Sequence, residues 1–466
     1  MAAYLFLAIT IDMIHCALLL AAAAPQQYDL LVIGGGAAGL TAAKFAARFG
    51  KRVAIVEKGR FGGDCTWTGC VPSKALLASA ARAHSLRTAG ELGVRVGSVE
   101  IDFKAVRDRI ALITQRIYEK DDSPEALRKL GIEAVEGAAT FVDGRTLDVK
   151  PTAEGKASRE LYATQGIVIA TGAIAHRPPI PGLDEVPYLT YEEIFRLHTV
   201  PPRMTVVGGG PIGCELAQAF SRLGSKVTIV APALLPALEP EVGASLSSAF
   251  EAEGIARVAS RAASVSAGAA AAHSLVCEDG SRLEGEVLLV AAGRVPVVPP
   301  GLEFALTSTG GVRVDERLQT SVEGVLAAGD VTGERQFTHY AGFQGAIAAR
   351  NALLPLSDAG VLGNGLARRR SPNTLCTCQC PYPALFSRST AGSWLRLHFS
   401  RGRKGGPNAR RGDQGARGRS GADTCPSDEQ RRSGSLHGRG RARLHQASVP
   451  AGRDHPWRDG RGPVGG

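Results

Sequence analysis

Two stretches of the chain share one order of apolar and polar positions. From Tyr28, an apolar run over residues 30–33 meets a glycine-rich turn, an alanine-rich segment and a second apolar run over residues 52–56. The same order returns from Arg203. Short apolar runs bounded by glycine predict buried strands, and the segment between them predicts a helix. The pattern therefore predicts an α/β fold with two strand–helix–strand units, each belonging to its own domain.

The glycines of the first unit have the spacing of a dinucleotide cradle. Gly34 permits the tight turn, Gly36 lets a pyrophosphate approach the backbone, and Gly39 allows close packing of helix and strand. Glu57 ends the second apolar run, where a carboxylate can accept hydrogen bonds from ribose hydroxyls. This combination predicts a bound dinucleotide.

The second unit repeats the spacing with Gly208, Gly210 and Gly213. Its counterpart of Glu57 is Ala231, so no carboxylate repels a 2′-phosphate and NADP(H) is permitted. No arginine follows to bind that phosphate, only Pro232, so the choice between NAD and NADP stays open. Two cradles imply two dinucleotides, and we expect a flavin that stays bound and a nicotinamide that exchanges.

Cys65 and Cys70 lie five positions apart, in GGDCTWTGCVPSKALL, shortly after the first cradle. The four residues between them form an irregular linker that can bring the sulfurs together in a small, reducible ring. Pro72 indicates the start of a helix, whose positive end and Lys74 would favour a thiolate. A structural disulfide and half of a zinc site are the alternatives.

The composition excludes a disulfide-rich scaffold, because nine cysteines are spread over 466 residues. No metal site is predicted. The net charge of +10 comes from the C-terminal quarter: residues 361–466 contain 20 Lys and Arg against 6 Asp and Glu, whereas residues 1–360 contain 34 against 38. The body of the protein therefore has no charge pattern typical of nucleic-acid binding.

The cysteine motif behind a glycine cradle resembles the flavin-dependent pyridine nucleotide–disulfide oxidoreductases, and within them the mercuric reductase-like and dihydrolipoamide dehydrogenase-like proteins. The resemblance covers about residues 27–356. It extends to the ATGA turn at 170–173, AAGR at 291–294, LAAGD at 326–330 and the helical run at 337–353.

The resemblance implies the cofactors FAD and NAD(P)H and a set of site residues. It implies that hydride passes from nicotinamide to flavin, that Cys70 rests as a thiolate against the flavin, and that Cys65 exchanges with an outside disulfide or binds a soft metal ion. It also implies that Glu215 pairs with Lys74. Further cofactor-binding residues implied by the match are Lys58, Gly63, Thr171, Gly172, Gly293, Arg294, Gly329 and Asp330.

The same match predicts a divided domain order. An FAD domain of residues 25–174 and 294–356 surrounds an NAD(P) domain of residues 175–293. Residues 1–24 form an apolar leader, which indicates organellar or secretory targeting and otherwise a cytoplasmic protein. No integral membrane role is expected.

Residues 357–466 differ from the interface domain by which family members form homodimers. They are rich in arginine and glycine and keep no helical or strand period. Read one base out of frame, residues 398–408 permit TSPEVAKVGLT and residues 455–462 permit ILGATVVG, both typical of that domain, so we expect a frame error or a retained intron. The alternatives are a catalytically impaired dinucleotide-binding protein and an RNA-binding protein acting through a basic tail.

Overall fold

The first domain is built on a parallel sheet whose strands are the apolar runs of the sequence. In a computed structural model, which describes residues 25–269 and 271–354, β1 (Gln26–Ile33) lies between β2 (Val53–Glu57) and β5 (Arg159–Ile169). The outer positions belong to β3 (Ile132–Phe141) beside β2 and β15 (Val325–Ala327) beside β5. Strands buried on both faces need continuous apolar side chains, which these runs supply.

Helices connect and cover these strands. The helices of the described residues are α1 (Ala37–Arg48), α2 (Gly63–Trp67), α3 (Cys70–Arg87), α4 (Phe103–Ile117), α5 (Pro124–Lys129), α6 (Pro211–Leu223), α7 (Pro240–Ala252) and α8 (Thr338–Leu353). A π-helical turn, Tyr118–Asp122, follows α4.

The second domain repeats the topology of the first. Its parallel sheet places β7 (Arg203–Val207) between β8 (Lys226–Val230) and β13 (Val287–Val290), with β9 (Ala256–Val258) outside β8. The first strand of each domain is thus central, and the strand order reverses beside it. In such sheets ligands bind at the carboxyl ends of the strands near this reversal.

Antiparallel strands complete both domains. β4 (Thr146–Pro151) pairs with β3 and β5, and β10 (Ala262–Ser266), β11 (His273–Cys277) and β12 (Arg282–Gly285) form a separate three-stranded sheet. The chain enters and leaves the second domain through β6 (Ala173–Ala175) and β14 (Arg294–Pro296), which pair with each other. The α/β prediction with two such units is confirmed.

The core of the first domain lies on both faces of its sheet. Leu30, Val32 and Ile55 are fully buried on the face covered by α1 and α8, while Leu31 and Ile167 are fully buried on the opposite face. Burial of one such side chain contributes about 1.5–3 kcal/mol. The alternation along β1 therefore anchors the strand from both sides and holds its carboxyl end, where the first glycines lie.

The predicted leader (1–24) and the predicted arginine-rich tail (357–466) lie outside the described residues, together with the dimerisation, frame and RNA-binding hypotheses. Within residues 25–354, apart from residue 270, no helix has the length and apolar character needed to cross a membrane. Over the same part of the chain, no group of three or more His, Cys, Asp or Glu is arranged to hold a metal ion.

Candidate active site

The first cradle has the backbone contacts that its glycines are expected to make. Gly34 has a φ of +107°, and a Cβ there would lie 2.2 Å from the carbonyl oxygen of Ala170. A Cβ on Gly39 would lie 1.9 Å from the oxygen of Gly34. Both positions exclude a side chain. Gly36 precedes α1 and has open space around it, since the nearest atom to a Cβ there is the Cα of Gly63 at 3.9 Å.

Glu57 is oriented by the loop that it closes. One carboxylate oxygen accepts from the backbone N–H of Gly35 at 2.6 Å, and the other accepts from Gly59 at 2.7 Å. These bonds hold the acid at the end of β2, beside the glycine turn. The neighbouring Lys58 is exposed.

The second cradle reproduces the first almost contact for contact. Gly208 has a φ of +123°, and its Cβ would lie 2.2 Å from the carbonyl oxygen of Ala291, while a Cβ on Gly213 would lie 2.2 Å from the oxygen of Gly208. Gly210 precedes α6 and has no atom within 4 Å of a Cβ position. Both cradle helices begin without a side-chain cap, so their first N–H groups are available to a ligand.

The carboxyl end of β8 holds an arginine that the sequence interpretation missed. Arg257, on the neighbouring strand β9, donates from Nε to the carbonyl of Ala231 at 3.4 Å and from an Nη to the carbonyl of Pro232. The residues that directly follow β8 contain no arginine, and the structure brings Arg257 to this end of the second cradle from the neighbouring strand. Because Arg257 comes 26 positions after Ala231, a search of the residues that directly follow the strand could not find it.

Cys65 and Cys70 lie at the junction of two helices beside the first cradle. Gly62 and Gly63 take φ values of +103° and +56° and start the short helix α2, which contains Cys65. A Cβ on Gly69 would lie 2.8 Å from the backbone oxygen of Asp64, so this turn also needs glycine. The chain then starts α3 at Cys70, and Pro72 lies in its first turn as the sequence predicted.

The two thiols differ in acidity because they are hydrogen-bonded to each other. The bond from Cys65 is the largest of the influences that lower the pKa of Cys70 to about 6, and it acts against burial. Thr338, whose Oγ1 is 3.0 Å from the Cys70 Sγ, and the charge of Lys74 also lower this pKa. The same bond and burial raise the pKa of Cys65 well above its usual range. The two opposite shifts favour a Cys70 thiolate that accepts a hydrogen bond from a Cys65 thiol.

Lys74 and Glu215 join the cysteine helix to the second cradle. Lys74 is one turn after Cys70 in α3, and Glu215 is in the first turns of α6. The ammonium group lies 2.8 Å and 2.6 Å from the two carboxylate oxygens. The side chains are 27% and 41% exposed, so the pair is accessible to a ligand between the two domains.

A buried ionic network connects the cysteine turn with the predicted flavin strand. Arg294 forms ion pairs with Asp330, which follows β15, and with Asp64, which precedes Cys65. Its Nε donates to the hydroxyl of Tyr191 at 3.0 Å, and that hydroxyl donates to Asp64 at 3.1 Å. The Arg294 and Asp330 side chains are 12% and 14% exposed, and burial of these two charges is tolerated because they are paired with each other. The Asp64 side chain is 42% exposed. Asp64 and Tyr191 were not predicted, although an acid directly before a redox cysteine was a usable signal.

A second buried acid reaches the segment between the cysteines. Asp122, in the π-helical turn, accepts from the hydroxyl of Thr66 at 2.7 Å and lies 3.6 Å from the Lys44 ammonium group. Burial raises the pKa of Asp122. Its charge in turn helps to raise the pKa of Cys65. Nothing in the local sequence indicated this contact, which spans 56 positions.

Other predicted cofactor residues line the turns around the first cradle. The Thr171 hydroxyl donates to the carbonyl of Val297, and Gly172 and Gly293 take φ values of +72° and +113° where the chain crosses between the domains. Gly329, with a φ of +83°, donates its N–H to the buried side-chain oxygen of Gln344 at 2.8 Å. The Gln344 amide nitrogen is buried without a partner among the described residues.

Comparison with known families agrees with this architecture. The family model for pyridine nucleotide-disulphide oxidoreductases matches residues 28–345. The chain belongs to this family.

Several members of the family are similar to this chain. A mercuric reductase of Streptomyces lividans is 38% identical over 337 residues, which cover 70% of each chain. A dihydrolipoyl dehydrogenase of Chlorobaculum parvum is 36% identical, covering 69% of this chain and 70% of its own. A mercuric reductase of Bacillus cereus is 33% identical across 70% of this chain, which spans only 52% of that relative's length.

Solved structures show the same fold. The HOCl-induced flavoprotein disulfide reductase RclA from Escherichia coli superposes with a TM-score of 0.61 at 28% identity, covering 72% of this chain and 73% of RclA. The Cu(II) complex of an RclA mutant with serine in place of one cysteine superposes with a TM-score of 0.62 at 27% identity, covering 70% and 71% of the two chains.

The residues of this chain fit the FAD and NAD(P)H that its family uses. Open space at Gly36 and Gly210, each before an uncapped helix, suits one pyrophosphate per domain. Glu57 would hold a ribose of FAD, and Asp330 with the crossing turns would lie along the same ligand. The buried amide nitrogen of Gln344 has no partner among the described residues and would be available as a hydrogen-bond donor to the cofactor on that side of the domain. Cys70 lies one turn before Lys74, which is bonded to Glu215 in the helix of the second cradle.

Proposed function

We propose that this protein is an FAD-dependent reductase that takes electrons from NAD(P)H and passes them through Cys65 and Cys70 to a small disulfide or a soft metal ion. The supporting observation is the asymmetric thiol pair: a Cys70 thiolate bonded to Thr338 and accepting from Cys65, beside the Lys74–Glu215 ion pair. An inert structural cysteine pair does not need one member to be this acidic.

The asymmetry supports a division of labour between the sulfurs. FAD reduced by NAD(P)H would supply two electrons, and the Cys65–Cys70 disulfide would take them up with one proton to give one thiol and one thiolate. Cys70 retains its negative charge through the Thr338 hydroxyl and the nearby Lys74 ammonium group. Cys65 retains the proton, and its thiol becomes the group that exchanges.

Disulfide exchange at this pair conserves atoms and electrons. Cys65 passes its proton to the Cys70 thiolate and attacks one sulfur of an outside disulfide. The other sulfur leaves as a thiolate and takes that proton from Cys70. Cys70 then attacks the Cys65 sulfur of the mixed disulfide, which re-forms the Cys65–Cys70 bond and releases the second thiolate. For a soft metal ion, the same two sulfurs act as ligands.

The proposal is tested by reducing the yellow protein anaerobically with two electrons. We expect a long-wavelength absorption band from the Cys70 thiolate against the flavin, and we expect its loss in the Cys70→Ser variant. The matched control is Cys277→Ser, a buried cysteine on β11 in the other domain, which should keep the band. NADH and NADPH oxidation with lipoamide, another small disulfide and Hg(II) would then identify the acceptor. A reduced wild-type protein without the band would contradict the proposal, and a band without turnover would indicate a catalytically impaired binding protein.

A further inference from the structure

The structure gives an internal standard for locating the adenosine ribose in the second cradle. A Cβ on Gly35 would lie 3.2 Å from the Cβ of Glu57. The equivalent Cβ on Gly209 would lie 2.8 Å from the Cβ of Ala231. Ala231 therefore has the same position relative to the glycine turn of the second cradle that Glu57 has relative to the turn of the first. The position that would contact the ribose 2′-oxygen in the second domain is therefore beside Ala231.

Arg257 is directed to that position. Its guanidinium is bonded to the carbonyls of Ala231 and Pro232, the first two residues after β8. Two bonds from different nitrogens fix the planar group, and Nη1 has no hydrogen-bond partner among the described residues. Arginine forks suit phosphate oxygens in number and geometry.

The surrounding charges favour an anion at this place. Residues 231–238 contain no acid, and the next one along the chain is Glu239. Glu253, which lies close to Arg257 in sequence, is already bound to Arg222 at 2.7 Å. A dianionic phosphate at this place would therefore meet the Arg257 guanidinium beside a segment, residues 231–238, that contains no acid.

We propose that Arg257 binds the 2′-phosphate of the nicotinamide dinucleotide and makes this protein select NADP(H) over NAD(H). The inference rests on the proposed function for the presence of a nicotinamide in the second domain. It assigns the choice between NADP(H) and NAD(H) to Arg257 on β9, which is distant in sequence from the glycine motif of residues 208–213.

Direct binding tests the assignment without turnover. Isothermal titration of the oxidised, FAD-loaded full-length protein would give Kd for NADP⁺ and NAD⁺, and for the fragments 2′,5′-ADP and 5′-AMP. We expect the phosphorylated member of each pair to bind at least about tenfold more tightly, because hydrogen bonds to charged groups are strong. The preference should weaken as salt rises, since the guanidinium is only half-buried.

Substitution then tests whether Arg257 causes the preference for NADP⁺. Arg257→Gln should bring the ratio of the two Kd values close to one by weakening NADP⁺ binding and leaving NAD⁺ binding in place. Arg282→Gln is the matched control, because it removes an exposed arginine from β12 of the separate antiparallel sheet and should leave the ratio unchanged.

The ratio alone decides the outcome. A wild-type ratio at or below one overturns the proposal, as does a preference that Arg257→Gln leaves intact. The fragment comparison in wild-type protein tests the preference without any variant, and retained NAD⁺ binding by Arg257→Gln shows that the variant keeps a folded second cradle. A clear NADP⁺ preference in a protein that lacks the thiolate–flavin band would contradict the proposed function and leave this assignment standing.

Discussion

The acidity of Cys70 depends chiefly on one neighbouring proton, and removing that proton donor gives the sharpest test of the site. In the Cys65→Ala variant the Cys70 sulfur keeps Thr338 and Lys74 but loses the bond that contributes most to its low pKa. Burial, which opposes ionisation, stays. We therefore expect the pKa of Cys70 to rise towards its ordinary value.

The size of the rise follows from the strength of such bonds. The pKa of Cys70 lies at about 6 instead of 9.0. A hydrogen bond to a charged group contributes about 1.5–3 kcal/mol, which corresponds to about one to two pH units. The Thr338 bond and the Lys74 charge remain, so the rise should be incomplete.

The assay is the pH dependence of alkylation. Reduced protein would be treated briefly with iodoacetamide from about pH 4.5 to about pH 10, and modification of the Cys70 peptide would be followed by mass spectrometry. Only the thiolate reacts, so the rate rises as pH passes the pKa. Cys65→Ser is the matched control, because its hydroxyl still donates a hydrogen bond and should shift the profile less. A Cys65→Ala profile that coincides with wild type would refute the assigned cause of the acidity.

Two further variants test the scaffold around the cysteines. Gly63→Ala places a Cβ 2.7 Å from the Cα of Gly36, at a φ of +56°. The control is Gly50→Ala, because Gly50 has a similar φ of +69° but a Cβ there meets nothing within 4 Å. Chemical denaturation should show that Gly63→Ala loses about 1–3 kcal/mol more free energy of unfolding than Gly50→Ala, and equal losses would contradict the contact. Tyr191→Phe removes a buried hydroxyl bonded to Arg294 and Asp64. We expect the free energy of unfolding at pH 7 to fall by about 1.5–3 kcal/mol. An unchanged value would show that the network does not depend on this hydroxyl.

The sequence alone determined those features of this protein that depend on local backbone geometry. Glycines at 34, 36 and 39 have the same roles as those at 208, 210 and 213, because a tight turn and close helix–strand packing exclude a Cβ whatever the rest of the chain does. The start of α3 at Cys70 was likewise readable from Pro72 in the following turn. The apolar runs indicated the two parallel sheets for the same reason, since strands buried on both faces need continuous apolar side chains.

Only the tertiary structure decided which distant charged and polar groups meet. Asp122 reaches Thr66 across 56 positions, and Arg294 reaches Asp64 across 230. Arg257 reaches the end of β8 because the chain runs through α7 and returns as the adjacent parallel strand, which no spacing rule near the glycine motif describes. The pairing of side chains depends on which strands and helices become neighbours, and that is a property of the whole packed domain and of no single segment.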